Sequence, residues 1–232
     1  MSKLPCLLCN LFTQHLALYD FRPPMAFCLD PSCRRQDRVL TEPSRHEAVL
    51  FTRDYGPIPV YTTSFYCRGC LTCYYPNYYV HTNSSLRSYH GGLPGVIQTS
   101  KKVFVEVTLC ERFAMQMAMA WKSSTNCARI YNVVFDVLRA KIELPFGWNF
   151  TLKFDTDIVS DAFYLYSLLQ DYEHHSTMLV LPRCAPSNTA RMRGALEERN
   201  KRVAGTGQPE WNHTCDLSMK VSVSEDGSLG AL

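Results

Sequence analysis

Two stretches of β-branched and aromatic residues, EAVLFTR (47–53) and IPVYTTSFY (58–66), stand either side of Asp54-Tyr55-Gly56-Pro57. Apolar runs of this length bounded by a turn signal predict an antiparallel hairpin. Beyond residue 74 the pattern predicts further extended segments around Tyr78 to His81 and around GVIQT. It also predicts one at KVFVEVTL, where Val103, Val105 and Val107 alternate with Phe104 and Glu106.

The period then changes. Cys110 to Trp121 is rich in Met and Ala and reads as a helix. Between Ser124 and Arg139, Cys127, Tyr131, Val134 and Leu138 recur at helical spacing behind a cap at Ser123 or Ser124. A third helix is predicted over Asp157 to Tyr172, with Asp161, Leu165, Leu168 and Tyr172 in neighbouring turns and acidic residues where a helix N-terminus favours them. The prolines of PRCAPSN interrupt the pattern. A short charged helix follows in TARMRGALEERNKRVAGTGQPEW, stopped by Gly205 and Gly207, and the tail SVSEDGSLGAL has no core-forming period. Strands followed by helices make the class α+β: a small β module packed with, or followed by, a helical region. No internal repeat is visible.

At 232 residues and 46% hydrophobic, the chain can bury one sizeable core or two small ones. Its eleven cysteines are an odd number in a chain too long to need disulfide staples, which argues against an extracellular disulfide framework. The start, MSKLPCLLCNLF, carries cysteines and an asparagine within its apolar run and does not read as a signal peptide. No run reaches the length of a membrane-spanning helix. The expectation is a nuclear or cytoplasmic chain, not secreted and with no membrane partner. The triplets at Asn83, Asn149 and Asn212 are then chance matches to a glycosylation signal.

Charge divides unevenly. Residues 1–105 hold 11 Lys or Arg against 6 Asp or Glu, and residues 106–232 hold 13 against 15. The basic half is also the cysteine-rich half, with Cys6, Cys9, Cys28, Cys33, Cys67, Cys70 and Cys73 all before residue 74. Four thiolates around a divalent ion would offset part of that surplus, so the balance permits a nucleic-acid partner without requiring one.

In Cys28-x4-Cys33 and Cys67-x2-Cys70, two short loops each carry two thiols, and the 33 residues between them contain the predicted hairpin. Zinc takes four soft ligands in a tetrahedron, and a hairpin that returns one loop to the other supplies them, which makes the small β module zinc-ribbon-like. Buried free thiols are the competing reading. A thioredoxin-like redox pair is another, weakened because LTCYYPNYY after Cys70 favours strand over helix. Cys6, Cys9 and Cys73 lack a second clear pair, although His81 or His90 would be available to them. His46, in the polar stretch PSRHE, reads as an exposed turn residue.

LDPSCRRQ, EAVLFTRDYGPIPVYTTSFYCRGCLTCYYPNYY and KVFVEVTLCERFAMQMAMAWKSSTNCARIYN, taken together, resemble the fifth kind of cysteine-cluster domain associated with KDZ transposases of fungi. That family is a zinc-chelating module N-terminal to a transposase catalytic domain. The resemblance covers roughly 20–135 and places the chelating pairs on Cys28, Cys33, Cys67 and Cys70, leaving Cys73 as a bystander. The segment from Ala190 onward resembles the start of the sixth kind of cluster. His213 and Cys215 match it, but Ser218 stands at a cysteine position and no closing cysteine follows, so no metal is assigned there. The implied domains are 20–135 (cluster with trailing helices), 136–185 (helical connector) and 186–232 (incomplete second cluster).

The resemblance implies a non-catalytic module that assists DNA recognition or transposase assembly, with zinc as cofactor and DNA or the transposase catalytic domain as partner. DNA contact would use Arg34, Arg35, Arg38, Arg68, Lys101 and Lys102. Of Tyr74, Tyr75, Tyr78 and Tyr79, about two are expected in the core. A protein-interaction module docking through Met115, Met117 and Met119 is the alternative. Two enzymatic readings are weaker. Asp155, Asp157 and Asp161 sit where a helix N-terminus explains them, and Cys184 with His174 or His175 has no supporting motif.

Overall fold

A computed structural model describes residues 19–36, 38–135, 148, 151–203, 221–223 and 229–231. The long hairpin is present: β2 (Thr41–Thr52) pairs antiparallel with β3 (Gly56–Cys67), closing with Thr52 opposite Gly56. Its turn is held by the Thr52 hydroxyl, which donates to the Gly56 carbonyl at 2.8 Å and accepts from the Tyr55 N–H at 3.0 Å. Gly56 has φ of +77°, a left-handed conformation open to glycine at little cost.

The hairpin is the middle of a nine-stranded sheet. The path runs β7 (Val96–Ser100), β8 (Val103–Glu106), β2, β3, β4 (Thr72–Tyr74), β5 (Tyr78–His81), β6 (Leu86–Tyr89) and β9 (Val180–Pro182). β1 (Asp20–Phe21) pairs parallel with β3 at Tyr61 and Thr62, so the free edge of β3 is covered first by β1 and then by β4. The β2–β8 pairing is parallel, Val49 to Phe51 against Val103 to Val105, and the neighbouring pairs along the rest of the path are antiparallel.

The second half of β2, from Ala48 to Thr52, is buried on both faces, which explains its unbroken apolar run. Ala48 and Leu50 pack with Val60, Phe104, Phe21 and Ile58. Phe51, on the other face, stacks on Phe154 with centroids 4.3 Å apart and meets Tyr131 edge-on at 5.9 Å. That second layer is helical: α1 (Val107–Ala120), α2 (Ser124–Val134) and α3 (Thr156–His174), with α3 against α1, α2 and β7. Ser123 caps α2 by accepting from Asn126 N–H at 3.3 Å, and Asp155 caps α3 by accepting from Ile158 N–H at 2.9 Å.

Asn132 joins the layers. Its side-chain amide donates to the Phe154 carbonyl at 2.6 Å and accepts from the Phe154 N–H at 3.0 Å, all within the interior.

Three local expectations change. The KVFVEVTL strand stops at Glu106, and Val107 opens α1, because Val107, Leu109, Cys110 and Phe113 recur at helical spacing on the buried side. His46 is a half-buried strand residue opposite Thr62, not a turn residue: the β2–β3 ladder carries the polar end of β2 along with its apolar half. Val134, expected on the buried stripe of its helix, is 66% exposed, while Cys127, Ala128 and Tyr131 form the buried side.

The chain divides into compact units 1–193 and 194–232. The second holds the later turns of α4 (Asn188–Val203) and a short antiparallel pair, β10 (Val221–Val223) with β11 (Leu229–Ala231), in a tail that showed no periodicity. Leu138, Asn149, Asn212, Cys6, Cys9, His213, Cys215 and Ser218 lie outside the described residues.

Candidate metal centre

The two cysteine loops meet at the end of the long hairpin. In the first, Asp30 folds the chain back by accepting from the Ser32 N–H at 2.9 Å and the Ser32 hydroxyl at 2.6 Å, and the Cys33 N–H donates to the Asp30 carbonyl at 3.1 Å. The Gln36 N–H then donates to the Cys33 carbonyl at 3.0 Å. These stacked turns aim Cys33 inward, and Phe27 bridging to Val39 ties the loop's two ends.

The second loop is the turn of the β3–β4 hairpin, with Cys67 directly opposite Thr72. Leu71 takes φ of 58°, and its carbonyl accepts from both the Thr82 N–H and the Thr82 hydroxyl, which anchors the turn to the segment after β5.

Cys28, Cys33, Cys67 and Cys70 come together with all four sulfurs within 4.8 Å of one another. The closest pairs cross between the loops, Cys28 to Cys70 at 3.4 Å and Cys33 to Cys67 at 3.6 Å. All four are free thiols, and three are buried. A tetrahedron of sulfurs about 2.3 Å from a zinc-like ion has edges of about 3.8 Å. The observed spacing is therefore one that could hold a metal ion among four thiolates.

The surroundings also fit thiolates. The Arg35 N–H donates to the Cys33 sulfur at 3.4 Å. Tyr74, fully buried, lies with its hydroxyl 3.3 Å from the Cys28 sulfur while accepting the Leu29 N–H at 2.9 Å. A phenol that already accepts from Leu29 directs its own hydrogen at Cys28. The Thr72 hydroxyl stands 3.1 Å from the Cys70 sulfur.

The thiols differ electrostatically. Burial pushes Cys70 up to about 12. At Cys67 burial acts in the same direction but is outweighed by N–H donation from Cys70 and Gly69, which brings it down to about 7. Cys33 is raised, the Arg35 N–H opposing the burial and neighbouring thiols that lift it. A bound divalent cation would favour the ionised form of the raised Cys33 and Cys70.

Gly69 has a steric role: a β-carbon there would stand 2.6 Å from the Cys33 sulfur and 3.2 Å from the Arg35 Cβ. Gly69, Thr72 and Tyr74 were missed by the reading of cysteine spacing. Thr72 and Tyr74 were detectable as alternate positions in the strand after Cys70, since such positions share a face.

Cys73 lies between them on β4 and faces the other way, as a bystander would. Among the described residues, Cys73, His81 and His90 form no second metal-holding group. The Cys67-x2-Cys70 turn joins two strands, so the helix start of a thioredoxin-like pair is absent from this position.

Of the basic residues singled out, Arg34, Arg35, Arg38 and Arg68 are exposed on the two cysteine loops. Lys101 and Lys102 are elsewhere, in the β7–β8 turn, with Lys102 Nζ 3.5 Å from Glu47. Glu47 pairs with Tyr61 on β3, six positions before Cys67, which is roughly 20 Å at the rise of a strand.

Tyr74 and Tyr78 are core residues, while Tyr75 and Tyr79 are partly exposed. Asp155 is spent as a helix cap, and Asp161 accepts from Asn188 Nδ2 at 2.6 Å. Cys184 lies in a groove with Cys73 whose lining contains no histidine.

The family model of the CxC5-like cysteine cluster associated with KDZ transposases matches residues 16–135. The chain belongs to this family. The matched span contains all four clustered cysteines, Gly69, Thr72 and Tyr74, so the geometry described above is that of a CxC5-like cluster. The family is an accessory cysteine cluster and not a catalytic domain. No curated protein and no solved structure matches the chain.

The CxC5-like span ends at Phe135, yet its sheet and helices continue to pack against Phe154, α3 and β9. Among the described residues, no helix is long and apolar enough to cross a membrane.

Proposed function

We propose that this CxC5-like domain is a zinc-binding, non-catalytic part of a KDZ-type transposase or a truncated relative, working in the nucleus or cytoplasm. In this reading Cys28, Cys33, Cys67 and Cys70 bind one zinc ion, and the ion holds two arginine-bearing loops in place for DNA. The carrying observation is the four-sulfur constellation, with loop arginines 34, 35, 38 and 68 exposed around it. Lys101 and Lys102 make a separate contact point on the β7–β8 turn. Strand-transfer chemistry, which needs acidic residues holding divalent cations, falls to a separate catalytic domain.

A structural zinc site contributes directly to folding, because its binding energy is available only when the loops are together. Metal analysis of the full chain purified under reducing conditions tests the first half of the reading. One zinc per chain is expected, lost in Cys67→Ser and kept in Cys73→Ser; a metal-free, folded chain would end it.

The second half is tested by duplex DNA binding as salt is raised. Affinity resting on these arginines falls steeply, and a flat response would instead favour a zinc-stabilised protein-interaction module. That second reading has its own support on α1 and its C-cap, where Met115, Met119 and Trp121 are exposed, Trp121 by 92%.

A further inference from the structure

On the face of β4 opposite the cysteine cluster is a groove of about 240 Å³, to which Cys73, Tyr75, Tyr78, Arg87, Arg183 and Cys184 contribute. Its aromatic floor is preassembled. Tyr75 stacks on buried Tyr78 with centroids 4.7 Å apart and planes 28° from parallel. The Arg87 guanidinium lies 4.0 Å from the Tyr78 ring centroid.

Positive charge exceeds negative charge here, although Asp161 offsets part of it at Arg191. Arg87, Arg183 and Arg191 form no ion pair among the described residues. Arg183 donates to the Thr82 carbonyl at 3.1 Å, Arg191 to the Pro182 and Arg183 carbonyls and the Asn188 side chain, and the Arg87 Nε is buried without a partner. The nearby carboxylate, Asp161, is engaged by Asn188 and is itself raised by burial. Burial, and then Arg87, depress the ionisation of Arg191. Guanidiniums crowded in a partly buried place are stabilised by an anion.

An anion alone would not need the tyrosine shelf. A phosphate flanked by a flat base uses both, the base on Tyr75 and the phosphate at Arg87 and Arg183. A base in a duplex is stacked and turned inward, so the groove suits an unpaired one.

We propose that this groove binds a nucleotide of single-stranded nucleic acid, with Tyr75 as the stacking platform and Arg87 and Arg183 as the phosphate clamp. The inference rests on the nucleic-acid reading above but uses none of the residues at the cysteine cluster.

The test is fluorescence anisotropy of the zinc-loaded full chain with a short labelled oligothymidine strand, against a duplex of the same length. Thymidine monophosphate and inorganic phosphate serve as competitors to separate base from phosphate. Tyr75→Leu should weaken the single strand by about 5- to 150-fold, leaving the salt slope unchanged. Arg183→Gln, at an exposed position, should lower that slope by about 0.7. Arg87→Gln should match Arg183→Gln if it folds. Bound oligothymidine should slow alkylation of exposed Cys184.

Unchanged single-strand affinity in both Tyr75→Leu and Arg183→Gln overturns the proposal, as does competition by polyglutamate equal to that by oligothymidine. If Arg34→Gln and Arg68→Gln abolish duplex binding while the groove variants are silent, recognition by the cluster stands and the groove falls. If only the groove variants matter, the groove stands and the cluster arginines lose their role.

Discussion

Gly69 lies so close beneath Cys33 that the β-carbon it lacks would stand 2.6 Å from the Cys33 sulfur. The neighbour that would have to yield is a buried sulfur, not the loose end of a flexible chain. Gly69→Ala should therefore displace Cys33 and weaken zinc by about 10- to 100-fold, the range for disturbed ligand support. Competition against a coloured chelator reads the change. An alanine variant with unaltered affinity would show that the sulfur is free to move.

Tyr74 joins the loops through its hydroxyl, which serves Cys28 and the Leu29 N–H at once. Tyr74→Phe keeps the ring but takes the acceptor from the part-buried Leu29 N–H and the hydroxyl from Cys28, at a cost of about 1 kcal/mol. The expected outcome is a lower melting temperature together with faster loss of zinc to chelator. Melting unchanged beside wild-type chelator kinetics would count against the hydroxyl's role.

Zinc affinity should climb with pH. With Cys70 pushed up to about 12 by burial and Cys33 also raised from 9.0, the metal-free cluster keeps both protons between pH 7 and 9. Zinc must displace at least these two protons, so the apparent affinity rises by at least about two decades per pH unit there, and acid releases the metal. The metal-free fold has the opposite limits. Cys70, raised above 9.0, contributes stability that is complete below pH 9 and disappears as pH rises towards 12. Cys67, lowered from 9.0 to about 7, contributes stability present above pH 9 and lost as pH falls through 7. Chelator competition across this range, with melting of the stripped chain alongside, checks both signs.

Cutting the chain after residue 135 keeps the whole matched family span but removes Phe154, α3 and β9. The face of Phe51 and Tyr131 that Phe154 covers would then meet water. Such a fragment should be unfolded or aggregated where residues 19–193 fold, judged by amide dispersion in NMR. Within the full chain, Asn132→Ala removes both hydrogen bonds to Phe154 and should cost about 2–5 kcal/mol in denaturant melts. A well-dispersed spectrum from the short fragment would show that the later helices are dispensable.

Much of this was legible in the residue pattern. The hairpin over 47–66 was visible because its two apolar runs flank a turn whose glycine has to adopt positive φ. The third helix was visible because acidic residues and an apolar stripe mark its start and its buried side; the structure adds Asp155 as its cap. The end of β8 was misplaced, at Leu109 instead of Glu106, for a physical reason. Val107 satisfies strand alternation and helical spacing equally, and only the buried partners of Leu109 and Phe113 choose between them.

The pairing of Cys28 and Cys33 with Cys67 and Cys70 followed from the sequence alone, because two short loops separated by one hairpin have few ways to meet. The sequence also separated Cys73 from Cys67 and Cys70. Contacts between residues far apart in the chain decided the rest. The Leu29 N–H reaches a hydroxyl 45 positions on, Gly69 fits beneath a sulfur from the other loop, and arginines from β6, from the segment after β9 and from α4 gather beside Tyr78. Such relations depend on distance and direction in three dimensions, which spacing along one dimension does not record. Local periodicity determined the elements of this protein and cysteine spacing picked out its four-sulfur cluster, and only the packing of those elements decided what surrounds each sulfur and each charge.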